Sequence, residues 1–211
     1  MIFANRQEAG RQLATALAAY KGQQPLILAI PRGAVPMGRT IAELLDGELD
    51  VVLVRKLTSP YSSEFALGAL EESGWAYIAD YAASAGGTPE YLEREKQRQM
   101  ATLQARRAQY TPLHPPIDPA GRIVIIIDDG LATGSTMIAA LHATRAKHPA
   151  KLICAVPVSP PDTLDKIRPL CDELVCLSAP PDFRAVGQFY QDFNQVSDDE
   201  VIDILRRPRP V

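Results

Sequence analysis

The sequence has little cysteine, and its three thiols form no recognisable motif. They are Cys154, Cys171 and Cys176, and no two of them have the Cys-x-x-Cys spacing. An odd, unpatterned set argues against a disulfide framework and against a zinc site. We therefore expect reduced thiols packed in or beside strands, as in a cytoplasmic protein.

The sequence also has no large excess of either positive or negative charge, and no apolar run is long enough to cross a membrane. The 22 basic and 25 acidic residues give a formal net charge of −3 over 211 residues. This balance excludes a general attraction to nucleic acid or to an anionic membrane, so any anion site must be built locally. The amino terminus lacks the basic and then apolar pattern of a leader. We expect a single-domain cytoplasmic protein with neither nucleic-acid nor membrane partners.

One stretch carries most of the chemical information. Ile123–Ile127 is an unbroken β-branched run, which predicts a strand buried on both faces of a parallel sheet. Asp128 and Asp129 follow directly, and Ala132–Thr136 is a glycine- and hydroxyl-rich turn before a helical pattern. Two ionised side chains at such a strand end require a polar ligand, and free amides at a helix start suit a phosphate. The pattern indicates a site for a phosphorylated sugar.

This stretch resembles the 5-phosphoribosyl 1-pyrophosphate motif of type I phosphoribosyltransferases: an apolar strand, two acidic residues, then Thr-Gly-x-Thr. An ordinary strand–turn–helix would not need adjacent acids. The resemblance implies an α/β, Rossmann-like parallel sheet flanked by helices, with a mobile β-ribbon and a small C-terminal hood. In one domain, 1–211, it implies a core at 1–56 and 120–180, a loop, ribbon and helix at 57–119, and a hood at 181–211.

The same resemblance implies transfer of ribose 5-phosphate from 5-phosphoribosyl 1-pyrophosphate to a nitrogen acceptor, with release of pyrophosphate. Asp128 and Asp129 would then be catalytic residues that hold the ribose hydroxyls and bind Mg²⁺ indirectly, through substrate or water. A homodimer is also expected. The residues implied to bind the 5′-phosphate through amides and hydroxyls are Ala132, Thr133, Gly134, Ser135 and Thr136.

A second apolar strand, Leu26–Ile30, precedes a glycine-containing turn. Gly33–Thr40 nearly matches the nucleotide P-loop G-x-x-x-x-G-K-[ST]. Arg39, however, replaces the lysine, and Pro36 removes one amide donor. A nucleotide-binding P-loop is therefore an alternative that the residues disfavour.

The resemblance instead makes this turn the pyrophosphate loop of the family. It implies that Arg32 and the amides near Gly33 hold the pyrophosphate. Members of the family often have a cis peptide bond here, and the bond between Pro31 and Arg32 is the candidate.

A third strand is predicted at Asp50–Val54, ending in Arg55 and Lys56. A solvated pair of cations at a strand end is the commoner situation. Beside a pyrophosphate loop, however, we favour a functional role, because a leaving group with several negative charges needs cations near it.

Residues 57–80 predict a polar turn followed by a hairpin of Phe65–Leu70 with Trp75–Ala79. In the family a mobile loop and ribbon lie here and close over the substrate. This part of the sequence resembles a group of bacterial phosphoribosyltransferases whose acceptor is unassigned. The shared features are Arg55-Lys-Leu, a later proline, Glu64 and Ala-Leu-Gly-Ala. Some of these are fused to a hydrolase-like domain, which we do not expect here. Glu64 is either an acid/base for the acceptor, a hinge residue or an exposed loop carboxylate.

Two later segments are less specific. Thr88–Tyr110 predicts a charged helix with interleaved signs, which favours a solvated or subunit-contacting surface. Residues 181–193 concentrate aromatics, and the resemblance makes Phe189 and Tyr190 candidates for stacking on an acceptor base under the hood. An apolar cluster that seals the sheet edge is an equally good interpretation.

The acceptor is not identified by the sequence. Family enzymes for 6-oxopurines have a carboxylate where this chain has Ala132, so hypoxanthine and guanine are disfavoured. A phosphoribosyltransferase is the first hypothesis. A non-catalytic regulator that binds 5-phosphoribosyl 1-pyrophosphate is the alternative.

Overall fold

The computed structural model describes residues 1–112 and 116–207, and for Ser63 and Glu64 it describes the backbone only. The strands are β1 Leu26–Ala29, β2 Glu48–Val51, β3 Val54–Ser59, β4 Ser62–Glu71, β5 Ala76–Ile78, β6 Ile123–Ile127, β7 Lys151–Val158 and β8 Glu173–Ser178. The helices are α1 Arg6–Ala16, α2 Ala34–Leu45, α3 Pro89–Tyr110, α4 Ser135–Arg145, α5 Pro161–Ile167 and α6 Asp198–Arg206.

Five strands form a parallel sheet in the order β2-β1-β6-β7-β8. The register pairs Leu26 with Val124 and Val124 with Leu152, so β6 lies at the centre, as its uninterrupted β-branched run predicts. The carboxyl ends of β1 and β6 therefore meet at one edge of the sheet. The predicted α/β fold with a helix-flanked parallel sheet is confirmed.

Each strand contributes to both faces of this sheet, and a separate apolar core covers each face. Ile125 and Ile127 pack into the core that contains residues of α1, α2 and α6. Val124 and Ile126 pack into the opposite core, with Met137 of α4 and other residues of α4 and α5. The alternation follows from the two-residue side-chain period of a strand, and it leaves the sheet buried between two helical layers.

The remaining strands form a separate antiparallel sheet in the order β3-β4-β5. The predicted hairpin is present, with Leu70 opposite Ala76 and Gly68 opposite Ile78. The prediction that Asp50–Val54 is one strand was wrong: β2 ends at Val51, and Val54 begins β3, which pairs antiparallel with β4. Arg55 and Lys56 thus lie within a strand, because the apolar run continues across a change of sheet that periodicity does not reveal.

The long helix α3 is tied to both sheets by a buried arginine. Arg107 Nη1 lies 3.1 Å from Asp50 Oδ1, its Nη2 donates to the Val51 carbonyl at 2.8 Å, and its Nε donates to Glu72 Oε2 at 2.8 Å. Asp50 is only 1% exposed, so it depends on these donors. Thr88 caps this helix by accepting from the Tyr91 amide, at the start of the helix that the sequence predicts.

The C-terminal segment returns to the amino terminus. Phe3 and Tyr190 form an isolated parallel bridge, and Ser197 caps α6 by accepting from the Glu200 amide. None of the helices in the described ranges combines the length and the apolar character needed to cross a membrane.

Candidate functional site

The predicted motif residues meet in a cleft at the carboxyl edge of the parallel sheet, where such folds bind ligands. One cavity of about 560 Å³ is lined by residues of the loop after β1, of β3, of α3 and of the end of β6. A second cavity of about 170 Å³ is formed by the turn between β6 and α4. Lys56, Asp128 and Thr136 line both cavities, so the two are adjacent parts of one site.

The two carboxylates at the end of β6 have different surroundings. Both are half-buried, and Asp129 Oδ2 accepts from Arg6 Nε at 2.8 Å. Burial raises the pKa of Asp128, and the neighbouring Asp129 charge raises it further. Burial also raises the pKa of Asp129, whereas Arg6 opposes this shift. Within the part of the chain that the structure describes, Asp128 forms no ion pair, and a ligand with hydroxyl donors would relieve its desolvation.

Asp129 packs directly against the loop after β1. A Cβ atom added to Gly33 would lie 2.0 Å from Asp129 Oδ2, a distance that no side chain tolerates. Gly33 has φ −56° and ψ −36°, so glycine is required here by this close approach and not by the backbone conformation. The peptide bond between Pro31 and Arg32 is cis, as the resemblance to the family predicts.

The turn between β6 and α4 is shaped as an anion pocket. Gly134 has φ +76° and precedes α4 directly, a left-handed conformation that favours glycine. The Thr163 hydroxyl donates to the Ala132 carbonyl at 2.7 Å, and this contact holds the turn from the α5 side. The first amides of α4 have no intrahelical acceptor, and with the helix dipole they favour a negatively charged ligand. Ala132 and Thr133 are exposed, as a phosphate-binding turn requires.

Cations line the wall of the larger cavity opposite the carboxylates. Arg55 and Lys56 project from β3, and Arg98 and Arg106 from α3. Arg98 is neutralised by two contacts with Glu95, at 2.9 and 2.8 Å. Among the described residues, Lys56 and Arg106 have no hydrogen-bond or ion-pair partner, and the only partner of Arg55 is a neutral amide. Arg55, Lys56 and Arg106 therefore form no direct ion pair with any residue that the structure describes.

Three predicted ligands lie away from both cavities. The Arg32 side chain is 3.3 Å from Asp198 Oδ2 of α6. Phe189 stacks on Phe183 with ring centroids 5.4 Å apart, and the Tyr190 hydroxyl donates to the Asp129 carbonyl at 2.6 Å. Both aromatics are buried, which matches the interpretation as an apolar cluster. The side chain of Glu64, the candidate acid/base, lies outside the described residues.

A family model described as a phosphoribosyl transferase domain matches residues 2–194. The chain belongs to this phosphoribosyl transferase family. Two curated Mycobacterium tuberculosis proteins, from strains CDC 1551 and H37Rv, are 40% identical over 209 residues, and their names give them provisionally as phosphoribosyl transferases. The match covers 98% of this chain and 47% of theirs, so the chain spans about half the length of these curated relatives.

One solved structure is similar over almost its entire length. The crystal structure of TT1426 from Thermus thermophilus superposes with a TM-score of 0.85 at 42% sequence identity, covering 97% of this chain and 98% of that one. The arrangement of sheet, ribbon and α3 is therefore shared with a protein observed experimentally.

The nucleotide P-loop alternative does not fit the phosphoribosyl transferase fold seen here. Most of Gly33–Thr40 is the first part of α2, not an open loop. Arg39, at the position of the P-loop lysine, forms a 2.5 Å pair with Glu43 one helical turn away. A Cβ added to Gly38 would meet Leu49 at 2.8 Å, so this glycine permits helix–sheet packing.

Sequence reasoning missed four side chains of the site: Arg6, Arg98, Gln99 and Arg106. Arg6 is 123 positions away from Asp129 in the sequence, and no local pattern connects the two residues. On α3, Glu95, Gln99 and Leu103 are buried in the structure, but the interleaved charges of this helix do not reveal in the sequence which face is buried.

The phosphoribosyl transferase family generally uses Mg²⁺ together with its phosphorylated sugar substrate. Among the described side chains, no group of three or more His, Cys, Asp or Glu could hold a metal ion. The cleft does offer the Asp128 carboxylate, a hard oxygen donor suited to Mg²⁺, and Mg²⁺ is commonly held by one or two carboxylates with substrate phosphates. These residues fit an ion that is bound largely by substrate oxygens.

Proposed function

We propose that this chain transfers the 5-phosphoribosyl group of 5-phosphoribosyl 1-pyrophosphate to a nitrogen acceptor and releases pyrophosphate. The observation that carries the proposal is the convergence, in one cleft, of a carboxylate pair, a helix start suited to an anion and cations that form no direct ion pair with a described residue. A phosphorylated sugar with a diphosphate leaving group presents matching hydroxyls and anionic groups. Membership of the family supports the same reaction class.

The roles follow from the position of each group. Asp128 accepts hydrogen bonds from the ribose hydroxyls, and Asp129, oriented by Arg6 and Gly33, frames the same subsite. The 5′-phosphate occupies the smaller cavity, on the amides and hydroxyls of the turn before α4. The pyrophosphate occupies the larger cavity, near Gly33 and the cations of β3.

In the reaction the bond from C1′ to the pyrophosphate oxygen breaks, and a bond from C1′ to the acceptor nitrogen forms. The electron pair of the broken bond leaves with pyrophosphate, and the proton of the acceptor nitrogen passes to a base. Because C1′ becomes cation-like, stabilisation of the leaving anion supplies most of the catalysis. Arg55 and Lys56 provide fixed positive charge for this purpose. Bound Mg²⁺ would add charge neutralisation at the pyrophosphate and ribose oxygens.

The acceptor is proposed only as a nitrogen base, since no described residue identifies a ring. Ala132 carries no carboxylate for a 6-oxopurine, and the buried Phe189 and Tyr190 offer no open stacking face. These features argue against hypoxanthine and guanine. A role for Glu64 in deprotonating the acceptor is kept as a proposal, to be tested by Glu64→Gln.

A cytoplasmic location, a homodimer and a single domain over 1–211 complete the proposal. The three cysteines are free thiols, which supports a reducing compartment. Light scattering of the purified chain measures the oligomeric state directly. A monomer at micromolar concentration would contradict the homodimer.

The decisive experiment supplies the protein with 5-phosphoribosyl 1-pyrophosphate, Mg²⁺ and a panel of nucleobases and amines, and measures released pyrophosphate. Turnover that depends on one acceptor supports the transferase. Tight binding of the sugar without turnover with any acceptor supports the alternative, a non-catalytic regulator. A protein that binds neither the sugar nor pyrophosphate would refute both.

A further inference from the structure

The helix α3 places a cation in the cleft, Arg106, whose charge acts on Asp198 without a direct contact. Arg106 is half-buried and lines the larger cavity. It has no hydrogen-bond or ion-pair partner within residues 1–112 and 116–207. Its neighbour Arg107 lies in a buried network with Asp50, and Arg98 is paired with Glu95. A partly desolvated guanidinium without an acceptor is unfavourable unless a ligand supplies one.

A second cation of the same wall is held in place from α3. Arg55 Nε donates to Gln99 Oε1 at 2.9 Å, and Gln99 Nε2 donates to Glu95 Oε1 at 2.8 Å. Glu95 and Gln99 are 5% and 6% exposed, so this polar chain is rigid and well shielded. Because only Nε of Arg55 is engaged, its two terminal nitrogens stay available to a ligand.

Arg55 and Arg106 are close enough to repel each other. Burial lowers the pKa of Arg55, and the charges of Arg106 and Arg98 lower it further. Glu95 acts on Arg55 and Asp198 on Arg106, but neither acid forms a direct ion pair with that arginine among the described residues. Two such guanidinium groups lining one cavity form a site for an anion with several oxygens, since each group offers parallel donors.

The residues that line the two cavities indicate which anionic group of the substrate the two arginines face. Arg106 and Arg55 share the larger cavity with Pro31 and Gly33 of the loop after β1. Neither arginine reaches the smaller cavity, which is formed by the turn proposed to bind the 5′-phosphate. The anion that the two arginines face is therefore the one beside the β1 loop.

We propose that α3 completes the pyrophosphate subsite, with Arg106 as a direct ligand of the leaving group and Gln99 as the positioning residue of Arg55. This inference rests on the proposed function, because it assigns a group to the same reaction. It gives α3 a binding role instead of the solvated or subunit-contacting role that its charge pattern indicates. In the transfer step, Arg106 stabilises the charge that develops on the departing diphosphate.

The test is calorimetric titration with two separate probes, Mg²⁺-pyrophosphate and ribose 5-phosphate. Arg106→Ala should weaken pyrophosphate binding about tenfold or more, as expected for a lost hydrogen bond to a charged group. Ribose 5-phosphate binding should stay within about twofold of the parent protein. Arg94→Ala is the matched control, since Arg94 is an exposed arginine of the same helix and lines neither cavity. It should leave both affinities within about twofold, because exposed charges at a distance are screened.

The positioning role of Gln99 is tested by a double-mutant cycle. Gln99→Ala and Arg55→Ala should each weaken pyrophosphate binding, and the double variant should bind as weakly as Arg55→Ala alone, because Gln99 acts through Arg55. Additive losses would refute the positioning role. Arg106→Lys, which keeps the charge but not the planar fork, should bind pyrophosphate with intermediate affinity.

Failure of this inference can be told from failure of the proposed function. If the parent protein binds both probes and Arg106→Ala binds pyrophosphate as tightly as Arg94→Ala, α3 has no part in the subsite and only the inference falls. Loss of ribose 5-phosphate binding to the same extent as pyrophosphate binding would also overturn it. If the parent protein binds neither probe, the proposed function falls and the inference falls with it.

Discussion

Replacement of Gly33 by alanine should disturb the acidic pair without straining the backbone. Gly33 has φ −56° and ψ −36°, values that alanine adopts freely. The new Cβ atom would nevertheless lie 2.0 Å from Asp129 Oδ2 and 2.8 Å from its Cγ. The Asp129 carboxylate must therefore move, and its 2.8 Å contact with Arg6 Nε must lengthen or break.

The expected change in the free energy of unfolding follows from two opposing effects. Loss of a hydrogen bond between charged groups costs about 1.5–3 kcal/mol, and the Arg6 and Asp129 side chains are only 12% and 15% exposed, so water replaces the contact poorly. Alanine in place of glycine at a compatible conformation stabilises by about 0.4–1 kcal/mol through the unfolded state. We expect Gly33→Ala to lower the free energy of unfolding by about 0.5–2.6 kcal/mol.

The effect of Gly33→Ala on the free energy of unfolding should change sign once the Asp129 carboxylate is removed. In an Asp129→Ala background, Gly33→Ala should raise the free energy of unfolding by about 0.4–1 kcal/mol, because only the unfolded-state effect remains. Urea unfolding measures both values, and titration with ribose 5-phosphate shows whether Gly33→Ala weakens sugar binding at the same time. Equal effects of Gly33→Ala in the two backgrounds would refute the contact between Gly33 and Asp129.

Three further changes test other parts of the structure. Arg107→Ala should lower the free energy of unfolding by about 3–5 kcal/mol, because it leaves the buried Asp50 without its cation; urea unfolding measures this. Burial lowers the pKa of His142, so its charged form is disfavoured in the folded state. Stability should fall as the pH falls below about 6.5, and His142→Gln should reduce that slope in thermal unfolding. Asp128→Asn with Asp129→Asn should weaken 5-phosphoribosyl 1-pyrophosphate binding at least about a hundredfold, measured by calorimetry.

Two of these changes, Arg107→Ala and His142→Gln, each have a matched control. Arg94→Ala removes an exposed arginine from the helix that carries Arg107, and His148→Gln replaces an exposed histidine. Both should leave stability within about 0.5 kcal/mol. Because burial raises the pKa of Asp128, Asp128→Asn alone should increase the stability of the ligand-free chain near neutral pH. Undiminished sugar affinity of the folded double variant would contradict the ribose assignment.

Local patterns predicted the centre of the fold well. Ile123–Ile127 has the same bounds in the structure as in the sequence interpretation, because a β-branched run bounded by charges and glycine leaves little choice of strand ends. The hairpin of β4 and β5 follows from alternation and a turn, and Thr88 and Ser197 cap helices because their hydroxyls satisfy free amides. These signals lie within a few residues of the feature that they specify.

Long-range pairs could not be predicted from the sequence. Arg6 meets Asp129 only after the chain has folded around the sheet, and Arg106 enters the cleft only because α3 packs beside β3. Interleaved charges along α3 look the same whether a face is solvated or lines a cavity. The family resemblance located the motif residues, but it gave no information about side chains on a helix that the motifs do not include.

The most direct measurement of the central claim is a crystal structure of this protein with 5-phosphoribosyl 1-pyrophosphate and Mg²⁺. We expect ribose hydroxyls within hydrogen-bonding distance of the Asp128 carboxylate, and the 5′-phosphate on the amides of Ala132–Thr136. We also expect the diphosphate between Gly33 and Arg106. A sugar phosphate bound elsewhere, with the Asp128 carboxylate engaged only by main chain and the turn before α4 empty, would contradict these expectations.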